Sequence, residues 1–121
     1  MREPQQGCIF CKIIAGDIPA KKRYEDENFL AFSDINPQAP THILVIPKSH
    51  IPSVDETLEA EAELLGRLLL VTRKVAREAG LAASGYRMVL NHGAHGGQTV
   101  HHIHVHLLGG KPMGWPPFPV P

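Results

Sequence analysis

The hydrophobic pattern of the first half of the chain predicts one short helix followed by three short strands. Apolar residues at positions 9, 10, 13 and 14 have helical spacing, and Gly16 ends the pattern. Two runs typical of strands, Lys22–Glu25 and Phe29–Ser33, are separated by turn-forming residues at 26–28. The continuous apolar run at 43–46 predicts a well-buried strand.

The second half begins with a long amphipathic helix that ends at Gly80 and has Ser53 or Asp55 as its cap. Two further strands, at 86–90 and 102–108, flank a glycine-rich loop at 91–98. This order of elements predicts an α+β protein whose antiparallel sheet is joined by short hairpins. One apolar stripe on the helix is formed by Leu58, Ala62, Leu65, Leu68, Leu69, Thr72, Val75, Ala76 and Ala79.

The length of 121 residues predicts a single domain over 1–121, with a loose start at 1–7 and a proline-rich tail at 111–121. Twelve basic residues balance twelve acidic ones, so charge predicts neither a nucleic-acid partner nor a membrane partner. No apolar run approaches the length of a membrane span, and residues 1–7 lack the charged-then-apolar pattern of a signal peptide, so neither is expected. The spacing of Cys8 and Cys11 suits a metal or redox pair, which favours a reducing compartment, and the cytoplasm is the expected location.

The unusual feature of the composition is histidine, which occurs eight times, with six of these residues between positions 92 and 106. His102, His104 and His106 alternate with apolar residues in one predicted strand. Because side chains alternate between faces along a strand, the three imidazoles should form an outward row with a spacing of about 6.5–7 Å. The apolar residues between them should face the core.

Two chemistries fit such a row of histidines. A His-x-His pair on one strand is a common pair of metal ligands, although no acidic residue lies nearby in the sequence as a third ligand. Alternatively, one imidazole attacks phosphorus while its neighbours hydrogen-bond the phosphoryl oxygens. The preceding loop favours the second chemistry, since Gly96 and Gly97 let backbone N–H groups approach an anion, and Gln98 and Thr99 add donors.

The run 98–108 resembles the signature of the histidine-triad (HIT) superfamily, His-x-His-x-His followed by two apolar residues. Segments 8–14, 34–42, 45–50 and 109–117 resemble the Hint branch, which holds the purine nucleoside phosphoramidases. The resemblance implies the HIT fold, an antiparallel sheet with one long and one short helix, continued across a homodimer. It also implies hydrolysis of the P–N bond of purine nucleoside 5′-phosphoramidates, and of aminoacyl-adenylates, with release of a nucleoside monophosphate.

The resemblance also implies catalytic roles. His104 corresponds to the residue that attacks phosphorus and forms the nucleotidyl-histidine, a reaction that requires no metal. His106 and His42 correspond to residues beside the phosphate. Thr99 corresponds to a hydroxyl that contacts the phosphate region and helps to protonate the leaving amine. His102 corresponds to an organiser of the site.

A purine nucleotide site is implied in the same way. Asp34 corresponds to the acid that accepts both ribose hydroxyls, although it also fits a plain turn residue. Trp115 corresponds to a tail residue that reaches the partner's active site, with a chain-end anchor as the alternative. The purine slot corresponds to Phe10, Phe32 and Ile35, which on the residues alone also fit a hydrophobic core. Further phosphate- and ribose-side contacts correspond to Asn91, Gly97 and Gln98.

A structural zinc site is the last implication. Cys8 and Cys11 are half of such a site, and some family members complete it with the histidines that correspond to His50 and His102. The alternative is a pair of partly buried thiols on a short helix. The resemblance gives no role to His92, His95 and His101, the last of which stands where many relatives have tyrosine.

Two other functions stay open. One is a dinucleoside polyphosphate hydrolase from a neighbouring branch, which the Gly-Gly and Trp-Pro-Pro sequences at 109–117 argue against. The other is a nucleotide-binding regulatory or scaffold protein whose hydrolysis is incidental. The complete triad favours catalysis over that second alternative.

Overall fold

The computed structural model describes residues 1–119, and the end of the predicted tail, Val120 and Pro121, lies outside the described residues. Two 3₁₀ turns, Val54–Glu56 and Glu59–Glu61, precede the long helix. The helices and strands in chain order are α1 (Ile9–Ala15), β1 (Lys22–Glu25), β2 (Phe29–Ser33), β3 (Thr41–Pro47), α2 (Ala62–Glu78), β4 (Tyr86–Leu90) and β5 (Val105–Gly109).

The five strands form one antiparallel sheet in the order β1-β2-β3-β5-β4, which confirms the predicted fold class. Strand β5 lies between β3 and β4, so that Val105 pairs with Val45 on one side and Leu90 on the other. The long segment 91–104, rather than a short hairpin, joins β4 to β5. This segment contains the glycine-rich loop and two of the three triad histidines.

Strand β5 begins at Val105, so the prediction of a strand over 102–108 is wrong for its first three residues. The neighbouring strands explain the late start. Strand β4 ends at Leu90, and β3 ends at Pro47, which has no N–H group to donate. The N–H of Ile103 instead donates to the carbonyl of Ile51 at 2.6 Å. The chain just before β5 is therefore held by the segment that follows β3.

Two hydrophobic cores lie on opposite faces of the sheet. Phe29 packs into the core on the α2 side, whereas its neighbour Leu30 packs into the core on the α1 side. The same alternation along β3 and β5 places Val105 on the α2 side and His42 and His106 on the α1 side. The sheet therefore presents two of the predicted site histidines on the face that α1 covers.

Helix α1 ends where the sequence predicts. Gly16 has a φ of +85°, a left-handed conformation that favours glycine, and its N–H donates to the carbonyl of Ile13. At the other end, the Sγ of Cys8 accepts the N–H of Cys11 at 3.3 Å. Phe10 and Ile13 are buried against the sheet, so this short helix is held by its core face and by its cap.

Helix α2 begins at Ala62 rather than near Leu58, and neither Ser53 nor Asp55 caps it, contrary to the prediction. The Glu61 carboxylate accepts the N–H of Leu58 at 2.8 Å and so closes a separate 3₁₀ turn before α2 begins. Neither helix within residues 1–119 is long and apolar enough to cross a membrane. The predicted stripe is buried at Leu68, Thr72, Val75 and Ala76, but Leu58, Ala62 and Leu69 are exposed.

Both ends of the described chain lack helix and strand, yet each is attached to the domain. The guanidinium of Arg2 donates to the Glu61 carboxylate at 2.7 and 2.9 Å, and its backbone N–H donates to the Ser49 hydroxyl at 2.8 Å. Arg2 therefore attaches the start of the chain to the segment that precedes α2 and to Ser49. In the tail, the carbonyl of Gly114 accepts a bond from Arg87 at 2.7 Å.

Candidate active site

His104 lies just before β5 and is only 5% exposed. Its Nδ1 is 2.7 Å from the carbonyl oxygen of His102, and since a carbonyl can only accept, Nδ1 must hold the ring proton. The lone pair is therefore on Nε2. The ring of Phe10 packs edge-on against this imidazole, with 5.1 Å between ring centroids. The fixed tautomer gives His104 one unprotonated nitrogen, as a nucleophile requires.

A chain of hydrogen bonds fixes the other two histidines on this face. The backbone N–H of Gln38 donates to Nδ1 of His42 at 3.0 Å, so the proton of that imidazole is on Nε2. This Nε2–H donates to Nδ1 of His106 at 2.8 Å. The Nε2 of His106 must then hold a proton, and its ring centroid lies 5.0 Å from that of His104. A donor therefore stands beside the nucleophile.

Burial keeps these three imidazoles neutral. It is the largest cause of the lowered pKa of His104, which the bond to the His102 carbonyl and the charge of Asp34 partly oppose. The pKa of His106 falls to about 4 through burial and through the neighbouring His104 and His42. Burial also lowers the pKa of His42. Neutral rings near pH 7 agree with the tautomers that the hydrogen bonds require.

A cavity of about 260 Å³ opens beside His104 and His106. Its other polar side chains include Asp34 and Thr99, while most of its lining is apolar, as is typical of a small-molecule site. A hollow of about 500 Å³ between the β1–β2 turn and α2 is larger but contains none of the triad residues. The apolar lining of the smaller cavity includes Ile9, Phe10, Ile13, Ile18, Phe32, Ile35, Leu44 and Val100.

The structure therefore brings the three residues of the predicted purine slot together with His104, His106, Asp34 and Thr99. Ile35 is fully exposed, so it lines the open side of the cavity. Ile18 and Val100 were not expected in the lining. They lie outside the helices and strands, so no periodicity in the sequence points to them.

Asp34 follows β2 and lies close to the histidines, although it is distant from them in the sequence. Its Oδ1 accepts the N–H of Asn36 at 2.9 Å, and its Oδ2 lies 3.4 Å from Nε2 of His42. The sequence places no acidic residue near the triad, but the fold brings Asp34 close to it.

The spacing of His42 and His106 is that of a hydrogen bond, with 2.8 Å between Nε2 of His42 and Nδ1 of His106. This distance is shorter than the roughly 3.3 Å between two nitrogen ligands of one tetrahedral metal ion.

The loop before β5 brings Thr99 to the cavity, but it directs the side chain of Gln98 elsewhere. The amide of Gln98 donates to the carbonyls of Pro52 and Val100 at 2.8 and 3.1 Å. Its Oε1 accepts the N–H of Gly93 at 3.1 Å. Gln98 thus connects both ends of the loop to the segment that follows β3, and this places Thr99.

The rest of the glycine-rich loop is braced internally. The N–H of Gly97 donates to the carbonyl of Ala94, so it is not a free donor of the phosphate cradle predicted at Gly96 and Gly97. The N–H of Gln98 donates to the carbonyl of Gly93. The side chain of Asn91 donates to the carbonyl of Gly96 at 2.6 Å. The remaining loop residues therefore shape the turn that precedes Thr99.

His102 turns away from the other two triad histidines. It is fully buried, and its Nε2–H donates to the carbonyl of Pro47 at 2.8 Å, so its Nδ1 holds the lone pair. The predicted outward row of three imidazoles is therefore wrong. His102 and His104 are both buried, and only His106 is partly exposed. The bends before β5 remove the strict alternation on which that prediction relied.

Nδ1 of His102 faces the other three residues of the predicted metal site. It lies 3.5 Å from Sγ of Cys8, 3.6 Å from Sγ of Cys11 and 3.2 Å from Nδ1 of His50. The Cys11 and His50 ligand atoms are 3.3 Å apart. Ligands of a tetrahedral zinc ion are separated by about 3.3 to 3.8 Å, given Zn–N of about 2.1 Å and Zn–S of about 2.3 Å. The distances here, from 3.2 to 3.6 Å, are close to these values. The donor set and its spacing therefore fit zinc.

The remaining predicted residues lie apart from the cavity of this chain. Trp115 is 84% exposed and packs near Arg87, whose guanidinium carbon is 6.0 Å from the indole centroid. Nε2 of His92 lies 3.9 Å from Asp55, while His95 and His101 are exposed. None of these three histidines lines the cavity beside His104.

The family model of the HIT domain matches residues 15–113, and the chain belongs to this histidine-triad family. A purine nucleoside phosphoramidase of Escherichia coli K12 is 50% identical over 106 residues, which cover 88% of this chain and 89% of the relative. A 14 kDa zinc-binding protein of Zea mays is 55% identical over 111 residues, which cover 90% of this chain and 86% of that protein.

Solved structures agree with the architecture. A HIT family hydrolase from Legionella pneumophila superposes with a TM-score of 0.90 at 52% identity, covering 93% of this chain and all of the other. A histidine triad protein from Clostridium difficile gives a TM-score of 0.90 at 44% identity, covering 93% and 97%. The five-stranded antiparallel sheet with one short and one long helix is therefore the HIT fold.

Proposed function

We propose that this protein is a purine nucleoside phosphoramidase that uses His104 as its nucleophile. The observation that supports this best is the bond from Nδ1 of His104 to the His102 carbonyl, which leaves Nε2 unprotonated in a ring that lines an apolar cavity. The activity named for the Escherichia coli relative agrees with this chemistry. Aminoacyl-adenylates, which also have a leaving group on the α-phosphorus, belong to the same proposal.

The reaction proceeds in two displacements. Nε2 of His104 attacks the α-phosphorus, the P–N bond breaks, and the Thr99 hydroxyl, which also lines the cavity, donates a proton to the leaving amine. Water then attacks the nucleotidyl-histidine and gives one proton back to Thr99. The bond between phosphorus and Nε2 breaks, the neutral imidazole is restored, and the nucleoside monophosphate leaves. Two such steps replace one difficult displacement at phosphorus.

The hydrogen-bond chain that ends at His106 stabilises the charge that develops on phosphorus. Because Gln38 and His42 direct the proton of His106 to Nε2, that N–H can donate to a phosphoryl oxygen. A fixed donor in a buried site costs little reorganisation in the transition state. In this proposal no step at phosphorus requires a metal ion.

The nucleoside occupies the rest of the cavity. The Asp34 carboxylate accepts the two ribose hydroxyls, since each carboxylate oxygen has more than one acceptor site. Phe10, Phe32 and Ile35 form the apolar slot for the purine. Asn91, Gly97 and Gln98 act on the phosphate and ribose by shaping the loop that holds Thr99, and we assign Trp115 to the active site of a partner subunit.

A structural zinc ion at Cys8, Cys11, His50 and His102 is part of the proposal. The four ligand atoms lie within 4.8 Å of one another, and the Zea mays relative is a zinc-binding protein by name. When bound, zinc would hold the two thiolates and two neutral imidazoles together. Free thiols at such a site also fit the reducing compartment, the cytoplasm, that the sequence predicts.

We also propose a homodimer that continues the sheet through β4. This strand is an edge of the sheet, and its residues Tyr86–Leu90 are only half-buried. Leu69 on α2 is 42% exposed, which leaves an apolar side chain for a partner to cover. The solution mass of the protein tests this assembly, since a monomer at micromolar concentration would contradict it.

Hydrolysis assays with a panel of substrates test the proposed function. We expect turnover of adenosine 5′-phosphoramidate to exceed that of diadenosine polyphosphates, because the 50% identical relative of Escherichia coli is a purine nucleoside phosphoramidase and the sequences at 109–117 argue against the other branch. Preferential cleavage of the diadenosine compounds would instead indicate a dinucleoside polyphosphate hydrolase. Tight binding of AMP without turnover of any substrate would indicate a regulatory nucleotide-binding protein.

The pH dependence of the reaction follows from the hydrogen bond between His42 and His106. Protonation of Nδ1 of His106 would remove the acceptor for the Nε2–H of His42. Burial and the neighbouring His104 and His42 lower the pKa of His106 to about 4, while Asp34 opposes this change. The neutral form therefore persists as the pH falls, and kcat/KM should stay level down to about pH 6. An acid limb centred at pH 6.5 or above would contradict this prediction.

A further inference from the structure

The side-chain cluster of Cys8, Cys11, His50 and His102 is connected to the catalytic site by two contacts, although the catalytic chemistry does not use the cluster. The first contact runs through α1. Cys11 belongs to the cluster, and the adjacent Phe10 packs its ring against both His102 and His104, at 5.8 and 5.1 Å between centroids.

Helix α1 depends on this attachment because it has only seven residues. Isolated helices of that length are unstable in water, so contacts at its ends and along its buried face must hold it in place. Ile9, Phe10 and Ile13 of this helix all line the nucleotide cavity. Movement of α1 would therefore open one wall of the cavity.

The second contact is His102 itself. Its imidazole is held at one nitrogen by the Pro47 carbonyl and at the other by the cluster. Its backbone carbonyl accepts the Nδ1–H of His104 at 2.7 Å and so determines which nitrogen of the nucleophile is unprotonated. If the contacts of His102 with Cys8 and His50 were lost, its imidazole would keep only the bond to the Pro47 carbonyl.

We propose that the Cys8–Cys11–His50–His102 cluster positions the catalytic site, so that filling it with a zinc ion tightens nucleotide binding and fixes the orientation of His104. Cys11 and His102 are then positioning residues, since they act through Phe10 and His104. This inference rests on the proposed zinc site and goes beyond it, because a purely structural zinc would change stability without changing nucleotide affinity.

The experiment compares AMP binding by calorimetry for the zinc-loaded wild type and the double variant Cys8→Ser, Cys11→Ser. We expect the Kd for AMP to rise roughly two- to tenfold in the variant, the range that a lost aromatic contact predicts. The Nδ1–H proton of His104 should also exchange faster with solvent in nuclear magnetic resonance spectra. Wild type stripped with a chelator provides the same comparison if the variant does not fold.

Leu68→Ala is the matched control, because Leu68 is buried in the core on the α2 side and lies outside the cluster and the cavity. It should lower thermal stability while leaving the Kd for AMP within about twofold of wild type. The positioning role is overturned if the zinc-free double variant binds AMP with the same Kd as the zinc-loaded wild type and shows the same exchange of the His104 proton. If the wild-type protein neither contains nor takes up zinc, both the proposed zinc site and this inference are wrong. The His104 mechanism is tested separately by the activity assays.

Discussion

The variant His104→Ala should lose at least about 10⁴-fold in kcat/KM for adenosine 5′-phosphoramidate, an effect typical of removing an enzyme nucleophile. The physical reason is that Nε2 of His104 is an unprotonated nitrogen in the cavity, prepared by the bond from Nδ1 to the His102 carbonyl. The remaining donors can bind phosphate but cannot form the covalent intermediate. Steady-state assays with purified protein measure the loss.

AMP should still bind to this variant, because Asp34, His106 and most of the apolar lining remain. The control is His95→Ala, which replaces an exposed histidine outside the cavity and should leave kcat/KM unchanged. If His104→Ala retained more than about a hundredth of the wild-type activity, another group would have to be the nucleophile.

Loss of the two thiols is the second change with a large expected effect. The double variant Cys8→Ser, Cys11→Ser should contain no zinc and should melt about 10 °C or more below the zinc-loaded wild type, because bound metal adds its binding free energy to folding. The cluster joins α1, the segment after β3 and the segment before β5, so one metal ion would connect three separate parts of the chain. Metal analysis and calorimetric melting measure the two effects.

A chelator distinguishes this effect from an ordinary loss of packing. It should lower the melting temperature of wild type towards that of the double variant and should leave the variant unchanged. Leu68→Ala should melt lower than wild type but respond to the chelator as wild type does. A wild-type melting temperature that is indifferent to the chelator, in protein without zinc, would contradict the structural role.

Local patterns in the sequence were sufficient for much of the fold. The bounds of β1, β2 and β4 coincide with the predicted strands, and Gly16 ends α1 as expected. The start of β5 could not be predicted because it depends on where β3 and β4 end, which is a property of neighbours in space. The start of α2 could not be predicted either, because the bond from the Leu58 N–H to the Glu61 carboxylate belongs to a separate 3₁₀ turn that precedes the helix.

Part of the candidate site could likewise be predicted from the sequence, and part could not. Alternation along β5 correctly groups Val105 and Leu107 in one core and His106 on the other face. Alternation fails for His102, because the chain before β5 is not strand and its imidazole turns to the carbonyl of Pro47. No local pattern indicates that the backbone N–H of Gln38 sets the tautomer of His42. Such bonds join distant segments and appear only in the folded chain.

The stereochemistry of the reaction at phosphorus tests the central claim, that a nucleotidyl-histidine forms on His104. The measurement uses an adenosine phosphoramidate made chiral at phosphorus by sulfur, hydrolysed in isotopically labelled water. Two displacements, the first by His104 and the second by water, each invert the phosphorus centre, so the account predicts net retention of configuration. Net inversion would mean that water attacks the substrate directly, and it would contradict the account.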